Sequence, residues 1–302
     1  MAKIISIPQK TMSSTTAQII ASYGRRYIVR TDQSQTYEAS TRSKRTDYAC
    51  GDWVCIQIIN QEQAVIEAVQ ERQSLLYRQD AWKSKLIAAN VSQLLIVLAA
   101  VPSPSEALLQ RALIAAEAAH IHAIIVLNKS DLPETAIWRE KLSFYKTLGY
   151  EVIELSALHE SSASSLHNVL HGHTNILLGQ SGMGKSTLTN ALLGEQLART
   201  NDISAALDSG KHTTTHTQLY DLEEQTKLID SPGLQEFGLH HLQLADLPHY
   251  FPDLCHLIGQ CRFHNCTHRA EPNCAFKQAA EQGEIRAERL ALLQKISNEL
   301  DH

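Results

Sequence analysis

The stretch "GQSGMGKSTL", residues 179–188, follows the apolar run "NILL" and opens into "STLTNALLG", rich in helix formers. Gly179, Gly184, Lys185 and Ser186 satisfy G-x-x-x-x-G-K-[ST] in the strand–loop–helix setting that the motif requires. In such a loop, backbone N–H groups wrap phosphates at a helix N-terminus. Lys185 is expected on the β and γ oxygens and Ser186 on Mg²⁺. Gln180, Ser181, Gly182, Met183 and Thr187 complete the nucleotide-binding loop. The loop alone does not separate ATP from GTP.

"NKSD" at 128–131 makes that choice, and it begins 51 residues before the loop. Asp131 can accept hydrogen bonds from the guanine N1 and N2 amides, whereas adenine has no matching donors. A carboxylate left without partners is costly, so the wrong base is rejected. Asn128 is expected to brace the loop and the Lys129 stem to lie along the base. "LSA" at 155–157 places the N–H groups of Ser156 and Ala157 for guanine O6. "DSPG" supplies Asp230 for a water-linked Mg²⁺ and the Gly233 N–H for the γ-phosphate. In "SGKHTTTHT" (209–217), Thr214 is the first choice for Mg²⁺ and the γ-phosphate, with Thr213 and Thr215 next. NKxD, SA and DxPG each lie at the C-terminal end of an apolar strand.

The motif order, NKxD, SA, phosphate loop, threonine segment, DxPG, is a circular permutation of the usual GTPase order. Chain termini can be relocated at surface loops without changing a packed core. Here the segment after Asp230–Gly233, which senses the γ-phosphate, leads directly into the C-terminal region. Loss of that phosphate could therefore reposition a domain.

Working outward, the 302 residues suffice for two or three domains. The composition is that of a soluble globular protein, 43% hydrophobic and 20% charged. No apolar run reaches the roughly 18–20 residues of a membrane helix. "MAKIISIPQK" lacks an h-region and cleavage site, so the expectation is a cytoplasmic protein without membrane contact. The net charge is −5, yet residues 1–90 carry 12 Lys/Arg against 8 Asp/Glu. A basic front end on an acidic chain suggests a polyanionic partner; an ordinary solvated surface is the plainer alternative.

Residues 1–14 are expected to be a loose tail. From 15 to 75, five β-type runs ("AQIIASY", "RRYIVRT", "QTYEAS", "DWVCIQII", "QAVIEAVQ") predict an OB-fold-like barrel, with an SH3-like barrel as the rival. Arg42, Lys44, Arg45, Tyr48 and the strand aromatic Tyr27 are its candidate RNA contacts. From 76 to 238, continuous apolar strands alternate with helical patterns, giving a central permuted P-loop α/β domain. Residues 239–302 read as a mostly helical domain around a Cys/His knot. There, Cys261, Cys266, His268 and Cys274 (C-x4-C-x-H-x5-C) form a closed structural Zn²⁺ site, one per chain, with His264 as rival ligand. Cys255 is expected to be a buried thiol, and Cys50 and Cys55 to be buried packing.

Taken together, "GDWV", "IAANVSQLLIV", "VLNKSDL", "GQSGMGKST", "GKHTTTHT", "DSPGLQEFGL" and the Cys/His spacing resemble the ribosome-small-subunit-dependent GTPase family of RsgA type, over residues 15–295 or so. The resemblance implies a bacterial factor in late maturation of the small ribosomal subunit. It implies GTP hydrolysis to GDP stimulated by that subunit, with rRNA contacts from the barrel and zinc domains. "DSPG" departs from the commoner D-T-P-G. Leu234 stands where Ras-like enzymes carry a water-orienting glutamine. His212 is the candidate substitute, Gln235 the fallback, and slow unstimulated hydrolysis is expected. A monomer is expected, because docking on one ribosomal site needs no symmetry. The rivals are a GTP-gated RNA-binding scaffold, a permuted GTPase of the large subunit, and a P-loop ATPase that would leave "NKSD" unexplained.

Overall fold

The computed structural model describes residues 15–42, 47–80, 83–158, 166–194, 217–223, 225–231 and 239–301. Residues 1–14 of the expected tail, Lys44, Arg45, the threonine segment through Thr215, and Gly233 to Gln235 lie outside the described residues.

Five strands form the N-terminal barrel: β1 (Thr15–Ser22), β2 (Tyr27–Thr31), β3 (Thr36–Thr41), β4 (Trp53–Ile58) and β5 (Gln63–Val69). Their order is β1-β2-β3-β5-β4, and β4 returns to pair with β1. The β3–β5 pairing is parallel and the others are antiparallel. This is the OB-type path, and closure removes the sheet edges. Alternation places Ala17, Ile19, Tyr27, Val29, Val54, Ile56 and Ile66 inside. Tyr27 is thus a core residue, 1% exposed, its ring edge-on to Tyr48 at 5.8 Å. This corrects the expectation that Tyr27 faces RNA: its strand alternates in and out, and Tyr27 falls on the inner face. At the barrel exit, buried Asp52 accepts from the Ala49 N–H and from Arg72 Nε and Nη2 at 2.7–2.8 Å.

A hairpin that periodicity did not announce comes next, β6 (Leu75–Asp80) with β7 (Lys83–Ala89). The sequence joining them, "QDAWKS", lacks the Gly, Pro or Asn-Gly signals that mark hairpins. The central sheet follows. Its parallel strands are β8 (Gln93–Ala99), β9 (His122–Asn128), β10 (Glu151–Glu154), β11 (Thr174–Leu178) and β13 (Thr226–Asp230), in the order β10-β9-β8-β11-β13. β12 (Thr217–Glu223) lies antiparallel to β13. Its other edge pairs with the barrel strand β1, Ala21 opposite Gln218 and Ser22 opposite Thr217. Barrel and central domain therefore share one hydrogen-bonded sheet, of eleven strands among the described residues.

Helix α1 (Glu106–Ala118) starts at Ser105, whose side chain accepts from the Leu108 N–H, as an N-cap should. α2 (Thr135–Thr147) and α3 (Lys185–Leu193) also flank the central sheet, and residues 166–170 are helical as well. β8 is buried on both faces: Leu95, Val97 and Ala99 face α3, while Leu94, Ile96 and Leu98 belong to a core that continues into the C-terminal region. That region has 3-10 turns at Leu247–Tyr250 and Cys255–Leu257, then α4 (Ala275–Glu281) and α5 (Ala287–Leu300). Leu247, Phe251, Phe276, Leu293 and Ile296 join the core under α1. Arg289, 4% exposed, is fixed by two bonds to Asp253 and by the Phe251 ring.

Two thiols differ from expectation. Cys255 is exposed, because it sits on a surface 3-10 turn and donates to the carbonyls of His249 and Phe251 at 3.3 Å. Cys50 is fully buried, but Cys55 is only half-buried, on the outer face of β4.

Candidate nucleotide and metal sites

The loops carrying the nucleotide motifs all leave the same, C-terminal edge of the parallel strands. β11 delivers Gly179 with φ +154°; a Cβ there would lie 2.3 Å from the Val97 carbonyl oxygen, so only glycine fits. Lys185 folds back, its Nζ donating to the carbonyls of Gly179 and Gln180 at 2.5 and 2.8 Å. Burial pushes its pKa down, and Asp230 pushes back. Ser186 and Thr187 stand exposed on the first turn of α3, where unpaired helix N–H groups favour an anion. Ser181 is exposed beside them.

Asn128 ends β9, buried, and ties two loops together. Its Nδ2 donates to the Met183 carbonyl at 2.8 Å and its Oδ1 accepts from the Ala157 N–H at 2.9 Å. Gly184, at φ +91°, is packed against the same amide, which a Cβ would meet at 2.2 Å. Lys129 reaches across to the carbonyls of Val101 and Gly182, both at 2.8 Å. Thr135 Oγ1 donates to the Lys129 carbonyl, and the Ser130 N–H to that of Leu155. Asp131 follows at the exposed rim, while Ser156 is buried. Asp230 closes β13, opposite Gln218. The hydroxyls of Thr217 and Ser231 meet at 3.3 Å, joining the end of the threonine segment to the start of "DSPG".

Two contacts here have no sequence signature. Gln180 Oε1 accepts from the Ser105 N–H at 2.6 Å, and Met183 Sδ from the Ala99 N–H at 3.1 Å. They fasten the phosphate loop to the end of β8 and to the segment after it, where the composition "AAVPSPS" marks only a turn.

In the C-terminal region the ligand atoms of Cys261, Cys266, His268 and Cys274 lie within 4.8 Å of one another. Nδ1 of His268 is 3.5 Å from Cys261 Sγ and 3.5 Å from Cys274 Sγ, and those two sulfurs are 3.9 Å apart. A tetrahedral zinc with ordinary Zn–S and Zn–N bonds needs about 3.6 and 3.8 Å for these separations. The donor set fits. Burial, with the neighbouring thiols, pushes Cys266 up to about 12, so a bound cation is what would favour the thiolate. The His268 ring stacks on buried Phe276 at 3.8 Å, linking the knot to the core. His264, the rival ligand, is exposed and outside this cluster.

The RsgA GTPase family model matches residues 69–240. A small ribosomal subunit biogenesis GTPase RsgA of Neisseria meningitidis is 74% identical over 293 residues, spanning 97% of this chain and 94% of its own. Its counterpart in Paraburkholderia xenovorans is 47% identical over 290 residues, spanning 93% and 92%. The crystal structure of YjeQ from Thermotoga maritima is similar with a TM-score of 0.70 at 26% identity, covering 95% of this chain and 98% of its own. That of YloQ, a circularly permuted GTPase, gives 0.69 at 24% identity with 98% of each chain covered, a likeness of fold.

Proposed function

The chain belongs to the RsgA GTPase family, and from that premise we propose that it hydrolyses GTP in a late step of small-ribosomal-subunit maturation. The subunit stimulates the reaction, and the barrel and the Cys/His domain touch its rRNA. The protein acts as a monomer in the cytoplasm; among the described residues no helix is long and apolar enough to cross a membrane.

The observation that carries this reading is Asn128, which holds the phosphate loop and the 155–157 loop together at one edge of the sheet. Asp131 reads guanine from that frame, the Lys129 stem covers the base, and the N–H groups of Ser156 and Ala157 receive O6. The loop from Gly179 to Thr187 cradles the phosphates, with Lys185 turning from its own loop carbonyls to the β and γ oxygens. Ser186, Asp230 and Thr214 would hold Mg²⁺ with GTP, and the bound ion would supply neutralisation of phosphate charge. Gly233 senses the γ-phosphate. Leu234 has no group to orient water, so His212, with Gln235 as fallback, takes that role when the subunit orders the site. Cys261, Cys266, His268 and Cys274 would hold one structural Zn²⁺, which supplies cross-linking and no chemistry.

GTP turnover with purified small subunits, and with large subunits as control, tests the proposal. Stimulation by the small subunit alone is expected. Stimulation by the large subunit, or by neither, would overturn the assigned partner and leave the GTPase standing.

A further inference from the structure

Between the first two ligands of the Cys/His knot lie Arg262, Phe263, His264 and Asn265, all four exposed. Phe263 is 41% exposed, although an apolar ring is favoured out of water. The Arg262 guanidinium sits 5.5 Å from its centroid. The loop is held in shape. Its ends are Cys261 and Cys266, the Cys266 N–H donates to the Phe263 carbonyl at 3.2 Å, and the Arg262 N–H to that of Asn273 at 3.4 Å. A rigid display loses little entropy on binding.

Beside Phe263 lies a groove of about 390 Å³, whose lining takes in the knot ligands Cys261, Cys266 and His268 and so includes the metal site itself. Leu244, Pro248 and Ile258 line it on the apolar side, Asn265 and Thr267 on the polar side. Residues 260–277 carry Arg262, Arg269 and Lys277 against a single acid, Glu271, in a chain of net charge −5. That acid is already engaged by the Thr267 hydroxyl and by the N–H groups of Thr267 and Arg269. Arg269 is likewise paired with Asp301, which leaves Arg262, exposed on the loop itself, as the cation beside the ring.

We propose that this loop captures an unpaired nucleobase of RNA. One face of the base stacks on Phe263, with the Arg262 guanidinium beside the ring and near the flanking phosphate. His264, Asn265 and Thr267 offer donors and acceptors to the base edge. Single-stranded RNA is recognised in this manner, by stacking on aromatic rings and arginine planes with edge hydrogen bonds. A protein-docking face would instead present a contiguous exposed apolar patch; here the exposed ring stands among Arg, His and Asn, and the apolar groove residues Leu244, Pro248 and Ile258 are buried or half-buried. That the RNA is ribosomal rests on the function proposed above, but capture of a single-stranded base does not.

The test uses the full chain with its metal, fluorescently labelled ten-nucleotide single-stranded RNAs, and a duplex of the same sequence. Phe263→Ala is expected to weaken single-strand binding about tenfold, Phe263→Trp to keep it within about twofold, and the duplex to show no such dependence. A 4-thiouridine RNA should photocross-link within 262–265, which separates this loop from any site on the barrel. Metal content measured on each variant reports an intact knot. Wild-type affinity in Phe263→Ala, or cross-links confined to other regions, would overturn the proposal. So would loss of small-subunit co-sedimentation with undiminished RNA affinity, which would make the partner a protein. Lack of stimulation by small subunits, with Phe263-dependent RNA capture intact, would instead refute only the ribosomal reading.

Discussion

One side-chain amide ties together the two loops that flank the proposed guanine site. Asn128→Ala leaves the Met183 carbonyl and the Ala157 N–H without their partner. Unmade buried hydrogen bonds cost about 1–3 kcal/mol each. GTP affinity measured by calorimetry should therefore fall between about tenfold and several hundredfold, with the melting temperature reduced as well. An affinity within twofold of wild type would mean that the two loops hold their places unaided. Asp131→Asn tests the base directly. It replaces an acceptor-only group with one that also donates, so preference should move from guanine towards xanthine nucleotides; unchanged preference would refute the guanine assignment. That Asn128 braces its loop was readable because "NKSD" is a four-letter motif, and the same letters motivate the role proposed for Asp131. The bond from Ser105 to Gln180 was not, since it joins a turn to a loop 75 residues away with no shared pattern.

At the scale of elements, alternation made the five barrel strands and the apolar central strands legible. It failed at the β6–β7 hairpin, whose turn lacks the usual residues, and it could not assign inner and outer faces well enough to place Tyr27. The Cys/His knot was legible as a spacing; that its ligands face one another at tetrahedral separations required the fold. Its energetic role can be tested by metal removal. The knot is wired to the core through the His268–Phe276 stack. α5 has independent anchors in Arg289–Asp253 and Arg111–Glu299. Cys266→Ser, or a chelator, should therefore release one metal per chain and speed hydrogen exchange over 255–282. Much of α5 and the barrel should stay protected. Uniform loosening of the whole chain would mean that the knot is a global staple instead.

The arrangement of the whole molecule was the least legible level, because the pairing of β1 with β12 is a long-range event that leaves no local periodicity. It changes the mechanical reading of the permutation. Sequence order alone directs a γ-phosphate signal forward, from "DSPG" into the C-terminal region. The structure adds a second route, backward into the barrel. Thr217, where the threonine segment enters β12, pairs with Ser22; Gln218 lies between Ala21 and Asp230. Lys227 donates to Gln18 at 2.6 Å and lies over the Trp53 ring, and Arg30 pairs with Asp221. Burial lowers the Lys227 pKa, against the pull of Asp221, so this contact is partly shielded from water. A β12–β13 hairpin shifted by GTP must carry β1 with it or break those bonds. Hydrogen exchange in residues 15–22 should accordingly be slower with a non-hydrolysable GTP analogue than with GDP. Lys227→Ala with Asp221→Ala should at least halve that difference while leaving the barrel folded, since its core is closed on itself. GTP affinity should stay within about twofold, because neither residue reaches the phosphate loop. If β1 exchanges identically in the two nucleotide states of the wild type, the shared sheet is only a scaffold, and the signal runs forward alone.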